Sequence, residues 1–267
     1  MTICIIAICE NSRVILVSDR MLTISDISIE FEHPSSKIEI LSNNCCAVTA
    51  GDALPCVDIF SNAKSIIKQH SSLSIKEIAE ETKKSYIEQR AKTIEELLIL
   101  PRQLKNIETF YENIQSLPSE IGLHIDNKIQ NFDFEIDIMI GGVDEQGPHI
   151  YFVENPGTIA CYDSIGYCAI GSGNLHAELT FISYNYNTLM GINEALYVIY
   201  EAKKISERAP GVGKETDIFL IDKNGYRQIS QPTIEILDEI YNTKKELHLK
   251  QYQQIKEKID QISLNYE

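Results

Sequence analysis

Residues 2–9 read Thr-Ile-Cys-Ile-Ile-Ala-Ile-Cys, an almost wholly apolar run dominated by β-branched side chains. Such a run suits a strand buried on both faces, so the chain has to supply a packing layer on either side of it. Glu10-Asn11-Ser12 carries turn chemistry, and residues 13–18 read as a second strand, closing a hairpin. Asp19 and Arg20 follow, charged residues at the end of a buried strand. A further strand begins at Lys37 and covers residues 37–41.

Position 2 is a threonine, and small residues after the initiator permit its removal. With Met1 gone, Thr2 carries a hydroxyl and a free α-amine on one residue. An α-amine has a pKa of about 7.7–8.0, so near neutrality part of it can accept a proton. A hydroxyl beside such a base is an activated nucleophile. Asp19 can hold a buried Lys37 against that hydroxyl, and the ammonium then favours the hydroxyl's ionised form. Chains with no terminal chemistry also begin Met-Thr, and buried Asp–Lys pairs also serve structure alone.

The 267 residues can bury a full core. A net charge of −15 excludes nucleic acid as the main partner, because phosphate binding needs clustered Lys and Arg. No apolar run is long enough to span a bilayer, so no membrane partner is expected. The first apolar stretch lacks a basic leader and a cleavage motif, which reads as a strand and not as a secretory signal. The seven cysteines are odd in number, mostly sit in apolar strands and form no CxxC. That is the pattern of reduced thiols in a cytoplasmic protein. No metal site or cofactor is expected: the six histidines are scattered, reading as surface or capping residues, and Gly171-x-Gly173 lacks the rest of a dinucleotide fingerprint.

Along the chain, Asn43-Asn44 turns residues 37–41 into residues 45–49. Thr49-Ala50-Gly51-Asp52-Ala53 is a strand running into a helix over residues 53–69. A glycine there lets backbone N–H groups face a ligand at a helix N-terminus. Ser74 with Glu77 forms a capping box for a second helix reaching residue 100. Residues 101–132 are a polar, partly helical excursion. Strands over 134–141 and 149–154 continue as a meander through 158–162 and 165–170. Ser172 lies in a glycine turn before a helix start, where its hydroxyl can reach backbone or an active group. Residues 193–209 are helical, 216–221 and 226–229 form a hairpin across Asn224-Gly225, and a charged helical extension fills 231–267. Meandering strands with helices grouped in pairs predict antiparallel sheets with helical layers outside them.

In one order the chain presents the Thr2 hairpin, Ser18-Asp19-Arg20-Met21-Leu22-Thr23, Ser36-Lys37-Ile38, Thr49-Ala50-Gly51 before a helix, Gly171-Ser172-Gly173, and Thr216-Asp217-Ile218-Phe219-Leu220-Ile221. Together these resemble proteasome β-type subunits and the bacterial peptidase of the HslV kind, N-terminal nucleophile hydrolases. The resemblance spans residues 2–229, interrupted by the excursion. It implies an α+β fold: a four-layer αββα sandwich of two antiparallel sheets over residues 1–230, plus the helical insertion and the C-terminal helix. It assigns Thr2 as nucleophile with its own amine as base, Asp19 and Lys37 as the polarising pair, and the Gly51 backbone N–H as oxyanion donor. Ser172 would hydrogen-bond near the Thr2 amine. Thr23 would hold substrate main chain as an added strand, and Leu22, Thr49, Ala53 and Val57 would line a pocket for an apolar substrate residue.

Active proteasome subunits carry Asp-x-x-Ser-Gly before the late strand, whereas here Ala209-Pro-Gly-Val-Gly213 stands in that place. The HslV kind lacks the Asp–Ser pair as well. Met21 stands where an arginine is usual. The implied activity is a threonine peptidase acting through an acyl-enzyme on peptide or protein substrate, within a homo-oligomeric ring or dimer and with an ATP-dependent unfoldase as possible partner. Transfer of the acyl group to another amine would make it a peptide ligase, and loss of the chemistry a scaffold subunit.

Overall fold

The fold grows outward from the apolar hairpin. The structure, a computed structural model, describes residues 2–24, 29–70 and 72–262. Strands β1 (Cys4–Cys9) and β2 (Arg13–Ser18) pair antiparallel, with Cys4 opposite Ser18 and Cys9 opposite Arg13. After β2 come a short two-stranded ribbon, β3 (Met21–Ile24) with β4 (Ile29–Glu32), then β5 (Ile38–Ser42) and β6 (Cys45–Gly51). Helices α1 (Ala53–Ile67) and α2 (Ile75–Ile94) follow, and the Ser74–Glu77 capping box forms as read. α2 gives way at Glu95 to a π-turn and then a 3₁₀ turn holding Pro101, so regular helix stops short of residue 100. The excursion holds α3 (Ile107–Asn113) and α4 (Ser119–Gln130). Then come β7 (Ile136–Asp144), β8 (Gly147–Glu154), β9 (Thr158–Cys161), β10 (Tyr167–Ile170), α5 (Asn174–Ser183), α6 (Ile192–Ser206), β11 (Asp217–Asp222), β12 (Gly225–Gln228) and α7 (Gln231–Ile259).

Two five-stranded antiparallel sheets result, one in the order β10-β1-β2-β11-β12, the other β5-β6-β7-β8-β9. The expected meander therefore breaks after β9. β10 leaves that run and pairs with β1 in the other sheet, the chain turning at Gly166, whose carbonyl accepts from Ile8 N–H at 2.7 Å. The pairing of residues 21–24 with 29–32 is also new, since their alternation is too short to stand out.

Strand alternation sorts the side chains into layers. Cys4, Ile6, Ile8, Val14 and Leu16 meet Cys46, Val48, Met139 and Ile150 between the sheets. Cys45, Ala47, Ile138 and Ile140 point the other way, onto Ile59, Phe60, Ala63, Ile78 and Tyr86 of α1 and α2. The vicinal Cys45-Cys46 is thus split between two cores, as packing. The far face of β1 and β2 lies against α6. Ile5, Ile6, Ile15 and Leu16 are fully buried, each contributing about 1.5–3 kcal/mol, which is why an apolar run with no polar face is stable here. This is the expected αββα sandwich.

The excursion has its own small core of Ile94, Ile99, Phe110, Ile125 and Ile129. Arg90 of α2 ties down its exit, donating to the carbonyls of Ile129 at 2.9 Å and Phe132 at 3.0 Å. The chain divides into two compact units, Met1–Gln228 and Ile229–Glu267; the second is the helix α7 and its flanks. Among the described residues no helix is long and apolar enough to cross a membrane.

Candidate active site

The hairpin register decides what meets at the end of the sandwich. Because Cys4 pairs with Ser18, Thr2 and Asp19 lie side by side just beyond the ladder, and Asp19 N–H donates to the Ile3 carbonyl at 3.2 Å. Lys37 arrives from the other sheet, immediately before β5. Its Nζ sits 2.7 Å from Asp19 Oδ1 and donates to Thr2 Oγ1, while the Thr2 hydroxyl contacts the same Asp19 oxygen. Thr2 is 2% exposed and Asp19 fully buried. Met1 lies outside the described residues.

Asp19 is held from several directions. Oδ1 also accepts from Ile3 N–H at 3.2 Å, and Oδ2 accepts from Met21 N–H at 3.3 Å and Gly213 N–H at 2.7 Å. A carboxylate with only donors around it stays a fixed acceptor. The neighbouring Cys4 thiol donates to the Thr49 carbonyl at 3.3 Å, and burial pushes it up to about 12 despite the nearby Lys37. A thiol at that value is inert near neutral pH, which leaves the Thr2 hydroxyl as the nucleophile candidate in the cluster.

Gly171 lies against the threonine. Gly171 has φ +96, and a Cβ there would come within 2.3 Å of the Thr2 carbonyl oxygen. Gly173 N–H donates to that same oxygen at 3.3 Å. The Ser172 hydroxyl lies 3.4 Å from it and 2.9 Å from the Pro210 carbonyl. Gly51, at φ +108, ends β6 where a Cβ would strike the Glu135 carbonyl at 1.8 Å, so only glycine lets the strand pass there into α1. Asp52 then caps α1, accepting from Leu54 N–H at 3.0 Å.

Beside Lys37 opens a cleft of about 520 Å³, and Leu22, Thr49, Ala53 and Val57 all line it. Its farther wall holds Phe60 and the Lys64–Glu39 ion pair. Thr23 lies on β3 opposite Glu30. Among the described residues no group of three or more His, Cys, Asp or Glu is arranged to hold a metal.

Sequence reasoning missed several partners. Gly213 acts through its amide, which has no side-chain signature. Arg20 makes a two-pronged pair with the buried Asp217, Nε to Oδ2 at 2.8 Å and Nη2 to Oδ1 at 2.5 Å. The signal was present, since Asp217 is a charged residue opening a buried strand, as Asp19 is one closing a buried strand. His149 is neither surface nor capping: its ring joins Asp163 at 2.7 Å and Asp144 at 3.2 Å.

An αββα sandwich with a polar cluster at its first strand end is the architecture that the resemblance to N-terminal nucleophile hydrolases implies. Comparison with known proteins narrows that resemblance. The family model described as Proteasome subunit matches residues 124–221. Proteasome subunit beta 1 of Desulfurococcus amylolyticus is 36% identical over 92 residues, covering 34% of this chain and 44% of that protein. Proteasome subunit beta 2 of Thermofilum pendens is 32% identical over 109 residues, covering 39% and 50%. Proteasome subunit beta 2 of Pyrobaculum calidifontis is 31% identical over 96 residues, covering 36% and 45%. The chain thus spans about half the length of the relatives it matches. Over the matched stretch it is similar to proteasome β-type subunits.

Proposed function

We propose that this protein is an N-terminal threonine peptidase, with Thr2 as nucleophile after Met1 is removed. The observation that carries the reading is the convergence of Lys37 Nζ and Asp19 Oδ1 on the one hydroxyl of Thr2. An ammonium held against a hydroxyl favours the alkoxide, and Asp19 keeps that ammonium in place. The Thr2 oxygen attacks the amide carbonyl of a peptide while its proton passes to the freed α-amine. The Gly51 N–H takes the developing oxyanion, a contribution whose loss in other enzymes costs about 2.7–4 kcal/mol. The amine then returns the proton to the departing nitrogen, the C–N bond breaks, and an ester remains on Thr2. Water, deprotonated by the same amine, cleaves the ester and restores the hydroxyl.

The apolar wall of Leu22, Ala53 and Val57 supports a preference for an apolar residue before the cut bond. Leu175, Leu179 and Ile182 on α5 are 64%, 55% and 60% exposed, which supports association of copies in a ring or dimer. An unfoldase partner follows only from the family likeness.

The test is intact-mass measurement on purified protein after exposure to an epoxyketone peptide, which needs both the amine and the hydroxyl. A single adduct on Met-free chain, lost in Thr2→Ala, is the expected result. A chain that begins at Thr2 and forms no adduct overturns it. The absence of an Asp and a Ser from residues 209–213 favours a second reading, a silent scaffold subunit, which the unlabelled outcome would support.

A further inference from the structure

Lys203 on α6 has a fully buried side chain, and the proposed chemistry does not use it. Its Nζ donates to Glu207 Oε1 at 2.7 Å and to the Lys214 carbonyl at 2.7 Å. Burying an ammonium is costly unless it is paired and hydrogen-bonded. The pair with Glu207 is local to the helix, but the bond to Lys214 reaches another segment.

That segment, residues 209–215, stands where the resemblance finds no Asp and no Ser. Glu32 accepts from the amides of Lys214 at 2.6 Å and Glu215 at 3.3 Å. The Ser172 hydroxyl donates to the Pro210 carbonyl at 2.9 Å. One residue before Lys214, the Gly213 N–H donates to Asp19 Oδ2 at 2.7 Å. The lysine's grip and the carboxylate's grip thus fall on adjoining residues. Ser206, three positions along the same helix, places its hydroxyl 2.9 Å from the Gly173 carbonyl and 2.8 Å from the Ala202 carbonyl of its own helix, next to the amide that holds the Thr2 carbonyl. One stretch of α6 therefore touches both loops that reach the Thr2–Asp19 pair.

We infer that Lys203 is a positioning residue for this site: by clamping the Lys214 carbonyl it aims the Gly213 N–H at Asp19 and so fixes the carboxylate that Thr2 and Lys37 share. Its catalytic consequence rests on the threonine-peptidase reading; the clamp itself does not.

Two measurements on the full chain separate the two claims. Hydrogen exchange by mass spectrometry follows the peptide covering residues 209–216 in wild type, Lys203→Met and Glu207→Gln. In Lys203→Met that peptide exchanges about tenfold faster or more, the opening expected when one charge-assisted hydrogen bond is lost, while peptides from α1 and α2 keep wild-type rates. Glu207→Gln removes the ion pair but leaves the lysine on Lys214, so the segment stays protected. Epoxyketone labelling kinetics then read the site. The maximal rate falls about tenfold to a hundredfold in Lys203→Met, and half-saturation stays at its wild-type concentration. Unchanged exchange in Lys203→Met overturns the inference, as does an equal rise in Glu207→Gln, which would make the lysine a helix staple. A rise spread over the whole chain overturns it too, by making Lys203 a general stability residue. If the wild type itself forms no adduct, the exchange data still decide the clamp and only the peptidase reading falls.

Discussion

Replacing Asp19 by asparagine is the most informative single change. All five groups around the carboxylate are donors: the Thr2 hydroxyl, the Lys37 ammonium, and the amides of Ile3, Met21 and Gly213. Asparagine has one acceptor oxygen and an NH₂ that can only donate. With that NH₂ at the Oδ2 position, the amides of Met21 and Gly213 face another donor. With it at Oδ1, Thr2, Ile3 and Lys37 do so instead. The milder arrangement strands two backbone donors, at about 1–3 kcal/mol each, and Lys37 loses its counterion in either case. Breaking a buried pair by removing one partner costs about 3–5 kcal/mol. The Lys37 side chain is 12% exposed, so water recovers part of that loss, and with the two stranded amides the total should be about 4 kcal/mol or more. Urea melts of wild type and Asp19→Asn, compared at equal m, measure it. Epoxyketone labelling of the same variant should slow at least about a hundredfold, the scale for losing one electrostatic stabiliser. A variant within about 0.5 kcal/mol of wild type, the range of an ordinary surface change, would refute the five-donor account of Asp19.

Gly51→Ala should abolish labelling and lower stability, because its Cβ meets the Glu135 carbonyl at 1.8 Å, whereas Gly191→Ala meets nothing within 4 Å and should match wild type in both assays. At Asp144 burial pushes the carboxyl up, but the Ile75 and Gln146 amides and His149 outweigh it and hold it below the ordinary carboxylate value. A depressed folded-state pKa contributes stability that is present above the unfolded value and lost as pH falls through the folded one. Urea melts between about pH 5 and pH 2 should show that loss, and Asp144→Asn should reduce its slope. Iodoacetamide at neutral pH should modify native protein only at Cys161, the one exposed thiol among the seven; peptide mapping that finds Cys4 or Cys46 labelled would contradict their burial.

Several features were written locally. The β1–β2 hairpin was legible because a β-branched run with no polar face can be satisfied only between two layers. The capping box at Ser74 and Glu77 was legible because its partners lie three residues apart. Asp19 and Lys37 stood out as charges at the ends of apolar strands, and the structure brings both to Thr2. Leu22, Thr49, Ala53 and Val57, which only the family resemblance had grouped, line one cleft. What sequence could not supply were choices made by packing over long distances. β10 joins β1 and not β9, a pairing that depends on which sheet edge is free once the hairpin is buried. Gly213 reaches Asp19 across 194 positions through an amide that every non-proline residue owns. Lys203 looks from sequence like one more lysine near a helix end; only the tertiary arrangement puts its ammonium out of water and onto Lys214. Local hydrogen bonding and side-chain period decide which segments become strands and helices, whereas the partners of backbone groups between segments are settled only when the layers close.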